Sequence, residues 1–176
     1  ALAAHEIETR YPDISAKEKK KRAELIGLAA LKFFLLKTDP IRDMVFNPEE
    51  SIRFDGETGP YLQYTHARAC SLLAKAKYRK AACDFSLLGG VHEQSVIKLL
   101  GDFPARVAES AEQYAPHILC HHLLALAQAF NEFYHACPVI VDDKKLMQAR
   151  LVLVDAVRQV LDTGLGLLGI AAIEEM

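Results

Sequence analysis

The run from Pro116 to Tyr134 constrains the fold most, because Ile118, Leu119, Leu123, Leu124, Leu126, Phe130 and Phe133 fall on nearly every side of a helical repeat. A helix with no face left for water must be surrounded by other elements, so it predicts the centre of a bundle. Pro116 opens it in a first-turn position where the missing N–H costs nothing, and Pro138 stops it.

The rest of the chain supplies amphipathic partners for that centre. Ser15 followed by Glu18 has the form of a capping box, and Ile26, Ala30, Phe33 and Leu36 recur on one face behind it. This predicts a helix from about Ala16 to Lys37, ended by Asp39-Pro40 because a residue before proline is pushed out of the helical region. Ile41 to Glu57, with Asn47-Pro48 and Asp55-Gly56, reads as an irregular connector and the domain boundary, dividing the chain into 1–50 and 51–176. A second helix is expected from Thr58 to about Lys80, with Leu62, Ala69, Leu72, Leu73 and Ala76 inward. After Gly89-Gly90, two short helices are expected, His92 to Leu100 and about Pro104 to Gln113. Asp142 or Asp143 caps a last helix that buries Leu146, Leu151, Leu153, Val154, Val157 and Leu161 and ends before Gly164. The fold class is therefore all-α, a bundle of five or six helices preceded by one helix and an irregular linker.

At 176 residues with 51% of them hydrophobic, the chain can bury one sizeable core and is too short to promise two. It has no apolar run near the roughly 20 residues that cross a bilayer and no signal-peptide pattern, so a soluble, cytoplasmic, monomeric protein without membrane contact is expected. A start at Ala1 rather than methionine suggests an excised piece or a processed product. Cys70, Cys83, Cys120 and Cys137 are widely spaced and fit reduced thiols better than a disulfide framework. A formal charge of −2 argues against coating duplex DNA by bulk electrostatics, but leaves room for a local patch. Lys75, Lys77, Arg79 and Lys80 provide one, and serve equally well as a solvated helix end.

The stretch Asp55 to Arg68, DGETGPYLQYTHAR, carries the chemistry. Thr58, Gly59 and Pro60 turn into a helix on which Tyr61, Tyr64, Arg68, Ser71 and Lys75 recur at three- and four-residue steps. Flat rings beside fixed positive charge suit an unpaired nucleobase and its phosphate. Tyr61, read by itself, fits a core ring with its hydroxyl at the rim. His117, Cys120 and His121 share a helical face, with His122, His135 and Cys137 nearby, but they lack the loop-spanning arrangement of structural zinc; no metal site is expected. Nor does any glycine-rich phosphate loop occur.

The run F-D-G-x-T-G-P-Y-L-Q-Y-x-H-x-R strongly resembles the start of the carboxy-terminal helical domain of arginyl-tRNA synthetases, and QAFNEFYHAC around Asn131 and ARLVLVDAVRQVLDTGLGLLGI from Ala149 are similar to the family's later blocks. The resemblance covers the chain from about Ile26 onward. It implies an all-α domain that grips the anticodon loop of arginine tRNA, with residues 1 to about 50 the tail of the catalytic region. The positions that match the family's contacts are Tyr64, Arg68, Tyr134 and Met176. Arginine codons share a central G, so the anticodon's middle base is C, and the implied pocket stacks that cytosine on Tyr64 and Tyr134, with Met176 as an apolar wall and Arg68 on a phosphate or base edge. Asn131 could add a base-edge hydrogen bond, while Tyr61, Lys75 and Lys77 complete the expected RNA surface.

Catalytic residues are not expected here, because the family's class I signatures for ATP are missing from the sequence. The resemblance implies that ATP with Mg²⁺ belongs to the catalytic domain of a parent ligase, which would also be this domain's partner. A helical protein-interaction module, or the anticodon domain of another synthetase, remains an alternative at this point.

Overall fold

Ser15 Oγ accepts from the Glu18 N–H at 3.2 Å, and this cap opens α1, Ala16–Leu36. The computed structural model describes residues 15–176, so residues 1–14 of the expected 1–50 unit lie outside the described residues. Ile26, Ala29, Ala30 and Phe33 bury one side of α1. The connector that follows is not wholly irregular. Asn47 caps a one-turn helix, α2, Pro48–Ser51, its Oδ1 accepting from the Glu49 and Glu50 amides at 3.1 and 3.4 Å. Asparagine followed by proline is a helix-start signal as well as a turn signal, which is why the two readings compete.

Helix α3 spans Gly59–Lys75. Thr58 Oγ1 accepts from the Tyr61 amide at 3.1 Å and donates to the Arg53 carbonyl, fixing how the chain enters the helix. Gly59 is required where α3 meets α1: a Cβ there would strike the main-chain carbonyl of Ala29, with the carbonyl carbon at 2.7 Å. The helix stops at Lys75 and does not reach Lys80. Lys77 takes a left-handed φ of 50°, and Tyr78 N–H closes on the Leu73 carbonyl at 3.0 Å. This turn lets Tyr78 pack onto the core, which outweighs continuing a helix of exposed lysines.

The two short helices expected after Gly90 are one, α4, Val91–Glu112, with Pro104 inside it. Pro104 is exposed, so water can satisfy the carbonyl that its ring leaves without a donor, and burial of Val96, with Ile97, Leu100, Phe103 and Val107 beside it, holds the helix together across the proline. Helix α5 runs Pro116–Ala136, and Leu119, Cys120, Leu123, Leu126, Ala127, Phe130 and Phe133 place it in the main core as its periodicity requires. Asp143 Oδ1 caps α6, Lys144–Leu167, by accepting from the Lys145 and Leu146 amides at 2.9 and 3.2 Å. Gly164 does not end α6. It is buried within the helix where a Cβ would lie 2.5 Å from a Leu123 methyl, so the glycine permits close packing of α6 on α5.

The described residues thus hold six α-helices and one 3₁₀ turn, Phe85–Leu87, with no strand. One core cluster runs through α1, α3, α4, α5 and α6, and a smaller one gathers Ile26, Ile52, Phe54 and Ile173, with Tyr64 and Met176 packed against it. No helix among the described residues is long and apolar enough to cross a membrane.

Candidate nucleic-acid interface

Tyr64 and Arg68 stand one turn apart on α3, and Asn131 and Tyr134 one turn apart on α5, so two helices bring four side chains to one place. The Arg68 guanidinium carbon lies 4.8 Å from the centre of the Tyr64 ring and 5.2 Å from that of Tyr134. Its Nη1 donates to Asn131 Oδ1 at 2.6 Å and its Nη2 to the Tyr64 hydroxyl at 3.1 Å. Asn131 Nδ2 in turn donates to the Tyr61 hydroxyl at 2.8 Å. The Thr65 hydroxyl stands 3.5 Å from Nδ2 and is tied to the Tyr61 carbonyl at 2.9 Å. Both ends of the Asn131 amide are therefore occupied by the protein itself.

The cluster is neither scattered nor submerged. Tyr134 is 37% exposed, and Tyr61, Tyr64, Arg68 and Asn131 are half-buried. Tyr64 also meets Phe54 edge to face at 6.3 Å, and through that smaller cluster it shares packing with Met176. Arg68 uses only part of its donor fork on Asn131 and Tyr64. Two partly exposed rings and one guanidinium thus stand together at the surface.

Lys75 is exposed on the same face of α3 as Arg68, two turns or about 10 Å further along. Lys77, Arg79 and Lys80 are exposed beyond the helix end, outside the ring cluster.

The histidine and cysteine set on α5 faces different surroundings. Cys120 is fully buried, and burial pushes its thiol up to about 12, whereas His121 is exposed. The rings of His117 and His121 meet edge to face at 6.3 Å, and among the described residues no group of three or more potential ligands could hold a metal ion. Burial likewise raises the thiol of the half-buried Cys70 to about 11.

Sequence reasoning missed Gln63, Thr65 and His66, all buried polar residues on α3. A signal for His66 was present: it lies one turn from Leu62 and one from Ala69, on the apolar face.

The family described as the DALR anticodon binding domain matches residues 62–176. The chain is 44% identical over 171 residues to the arginine–tRNA ligase of Halothermothrix orenii, covering 97% of this chain and 30% of that protein. It is 43% identical over 175 residues to the arginine–tRNA ligase of Enterococcus faecalis, covering 99% of this chain and 31% of that one. Among solved structures it resembles Thermus thermophilus arginyl-tRNA synthetase, with a TM-score of 0.92, 38% identity, and coverage of 99% of this chain and 30% of the other. The chain thus spans about a third of the length of the relatives it matches. All-helical architecture, family match and similarity along nearly the whole of this chain agree, and the chain belongs to the DALR anticodon-binding domain family, in the form similar to that of arginine–tRNA ligases.

Proposed function

We propose that this chain binds the anticodon loop of arginine tRNA as the anticodon arm of an arginine–tRNA ligase, the enzyme that joins arginine to its tRNA at the expense of ATP. The observation that carries the proposal is the Arg68 guanidinium set against the rings of both Tyr64 and Tyr134 at an open surface. A cytosine turned out of the loop stacks on these rings, Arg68 meets its edge or a phosphate, and Met176 closes the apolar side. Asn131, itself tied to the Tyr61 hydroxyl, holds Arg68 in place, and Lys75 and Lys77 follow the backbone phosphates.

In this reading residues 51–176 form the arm and residues 1–50 continue from the catalytic region, with α1 folded onto the arm through Ala29 and Phe33. ATP and Mg²⁺ act in the remainder of the parent chain, so this piece binds without catalysing. That remainder also accounts for apolar side chains left in water, such as Leu28, Leu31 and Leu35 on α1 and the 90% exposed Ile41 and 91% exposed Val45 in the linker. The parent works in the cytoplasm as a monomer, with neither DNA nor membrane as partner.

A gel-shift titration compares arginine tRNA with a transcript altered only at the middle anticodon base. The expected result is weaker binding to the altered transcript. Equal binding to both would remove base reading from the function and favour a protein-interaction role for the exposed α1 face.

A further inference from the structure

The segment after α6 has no regular structure, yet its main chain is held to the bundle at alternate carbonyls. Gln63 Nε2 donates to the Ala171 carbonyl at 2.8 Å, and His66 Nδ1 lies 2.9 Å from the Ile173 carbonyl, a contact that places the ring proton on Nδ1. Lys32 Nζ donates to the Gly169 carbonyl, and Arg22 reaches the Glu175 carboxylate at 3.4 Å, so α1 supports the same segment from its other side. The two α3 donors are deeply placed: Gln63 is 0% and His66 2% exposed.

A buried amide is a costly way to fill a core, and here it is costlier because Gln63 Oε1 has no partner. What the two residues achieve is directional. They flank Tyr64 in the sequence, they grip carbonyls rather than side chains, and they fix the path of the chain whichever residue stands at 171. Ile173 is thereby set into the small cluster of Ile26, Ile52 and Phe54, and Met176 comes to pack on the cluster that also supports Tyr64.

We propose that Gln63 and His66 are positioning residues that hold the C-terminal segment so that Met176 stands beside Tyr64 as one wall of the base pocket. This inference rests on the base-reading function proposed above. It places the control of specificity partly on the buried side of α3, away from the RNA.

The test uses the full-length ligase that carries this chain. Gln63→Met and His66→Leu remove each donor at similar volume, His66→Gln restores an N–H donor, and Met176→Ala removes the wall itself. Aminoacylation is measured with arginine tRNA and with the transcript changed at the middle anticodon base, and circular dichroism accompanies each variant. Either anchor change should raise KM for arginine tRNA about tenfold, leave kcat and the KM for ATP in place, and erode discrimination between the two transcripts. His66→Gln should recover most of the loss. Combined with Met176→Ala, the anchor changes should add no more than about twofold, because they act through that residue.

Full additivity with Met176→Ala, or an equal loss on both transcripts, would overturn the proposal. If Gln63→Met does not fold, the His66 pair carries the same test, and unfolding of both anchors would make them fold determinants only and equally overturn it. Tyr64→Ala in the same assay separates the layers. Intact discrimination there would sink base reading itself, whereas its loss alongside silent anchor variants would sink only the positioning role.

Discussion

Arg68 on α3 is held by Asn131 on α5 through a 2.6 Å hydrogen bond, so the cation at the centre of the candidate interface depends on the packing of two helices. Asn131 passes the constraint on to Tyr61 with its other amide atom. Asn131→Ala is expected to leave Arg68 and the Tyr61 hydroxyl without these partners, at a cost of about 1–3 kcal/mol in stability. Urea unfolding measures that cost. A titration with arginine tRNA should show weaker binding in the same variant, because the guanidinium is no longer aimed.

The two rings should separate from the fold. Tyr134 is partly in water and Tyr64 lies at the edge of the small cluster, so Tyr64→Ala and Tyr134→Ala are expected to keep the helical circular dichroism signal. Each should lose on the order of 1–3 kcal/mol in binding to arginine tRNA, the worth of a stacked base. A variant that melts instead would identify its ring as structural. Tyr64→Phe refines the comparison, since it keeps the ring and removes only the hydroxyl that accepts from Arg68.

What was legible in the sequence follows from which forces repeat along the chain. The apolar surround of α5 and the periodic faces of α1, α3 and α6 are set by burial, and periodicity located all four. Helix ends were less readable, because caps compete with packing. Pro104 reads as the start of a second short helix, but it falls on a wet face and is tolerated, and Gly164 reads as a stop although it marks a close helix contact. Within the candidate interface, the stripe of Tyr61, Tyr64 and Arg68 came from helical spacing alone. That Tyr134 and Asn131 would meet it required the approach of α5 to α3, which only the family resemblance anticipated. Gln63 and His66 stayed hidden because their partners are main-chain carbonyls, which leave no mark on residue type.

Gly59 tests the link between the site and α1. A methyl group there would collide with the Ala29 main chain, and a backbone neighbour cannot turn aside as a side chain can. Gly59→Ala should therefore destabilise the domain by about 1–3 kcal/mol or more despite alanine's better helix propensity. Thermal melting reads this directly. A neutral result would mean that α1 moves away from α3 without cost.

Lys77 separates charge from backbone strain. Its φ of 50° at the end of α3 is a position that glycine fills with less strain, and its side chain is exposed. Lys77→Gly is expected to stabilise the fold by up to about 1 kcal/mol while flattening the salt dependence of RNA binding by about one unit of slope. Denaturant midpoints and titrations at several salt concentrations give the two readouts. An unchanged salt slope would place Lys77 outside the interface, whatever happens to stability.

His122 supplies a pH dependence that has no connection with RNA. It is buried between α4 and α5, stacked on Phe103 at 6.1 Å, and its Nε2 has no partner. Burial holds its pKa below the ordinary histidine value of 6.5; the Arg106 cation acts in the same direction, while a hydrogen bond to the Leu99 backbone and the Asp102 carboxylate oppose it. Because the folded state resists the proton, the unfolded chain binds it more readily, and stability falls as pH drops below the unfolded value through the depressed folded one. His122→Gln keeps a polar group of similar reach but cannot titrate. Its unfolding free energy in urea should fall less than that of the parent sequence between pH 7.5 and pH 5. Parallel losses in the two proteins would show that other groups, and not His122, govern acid sensitivity.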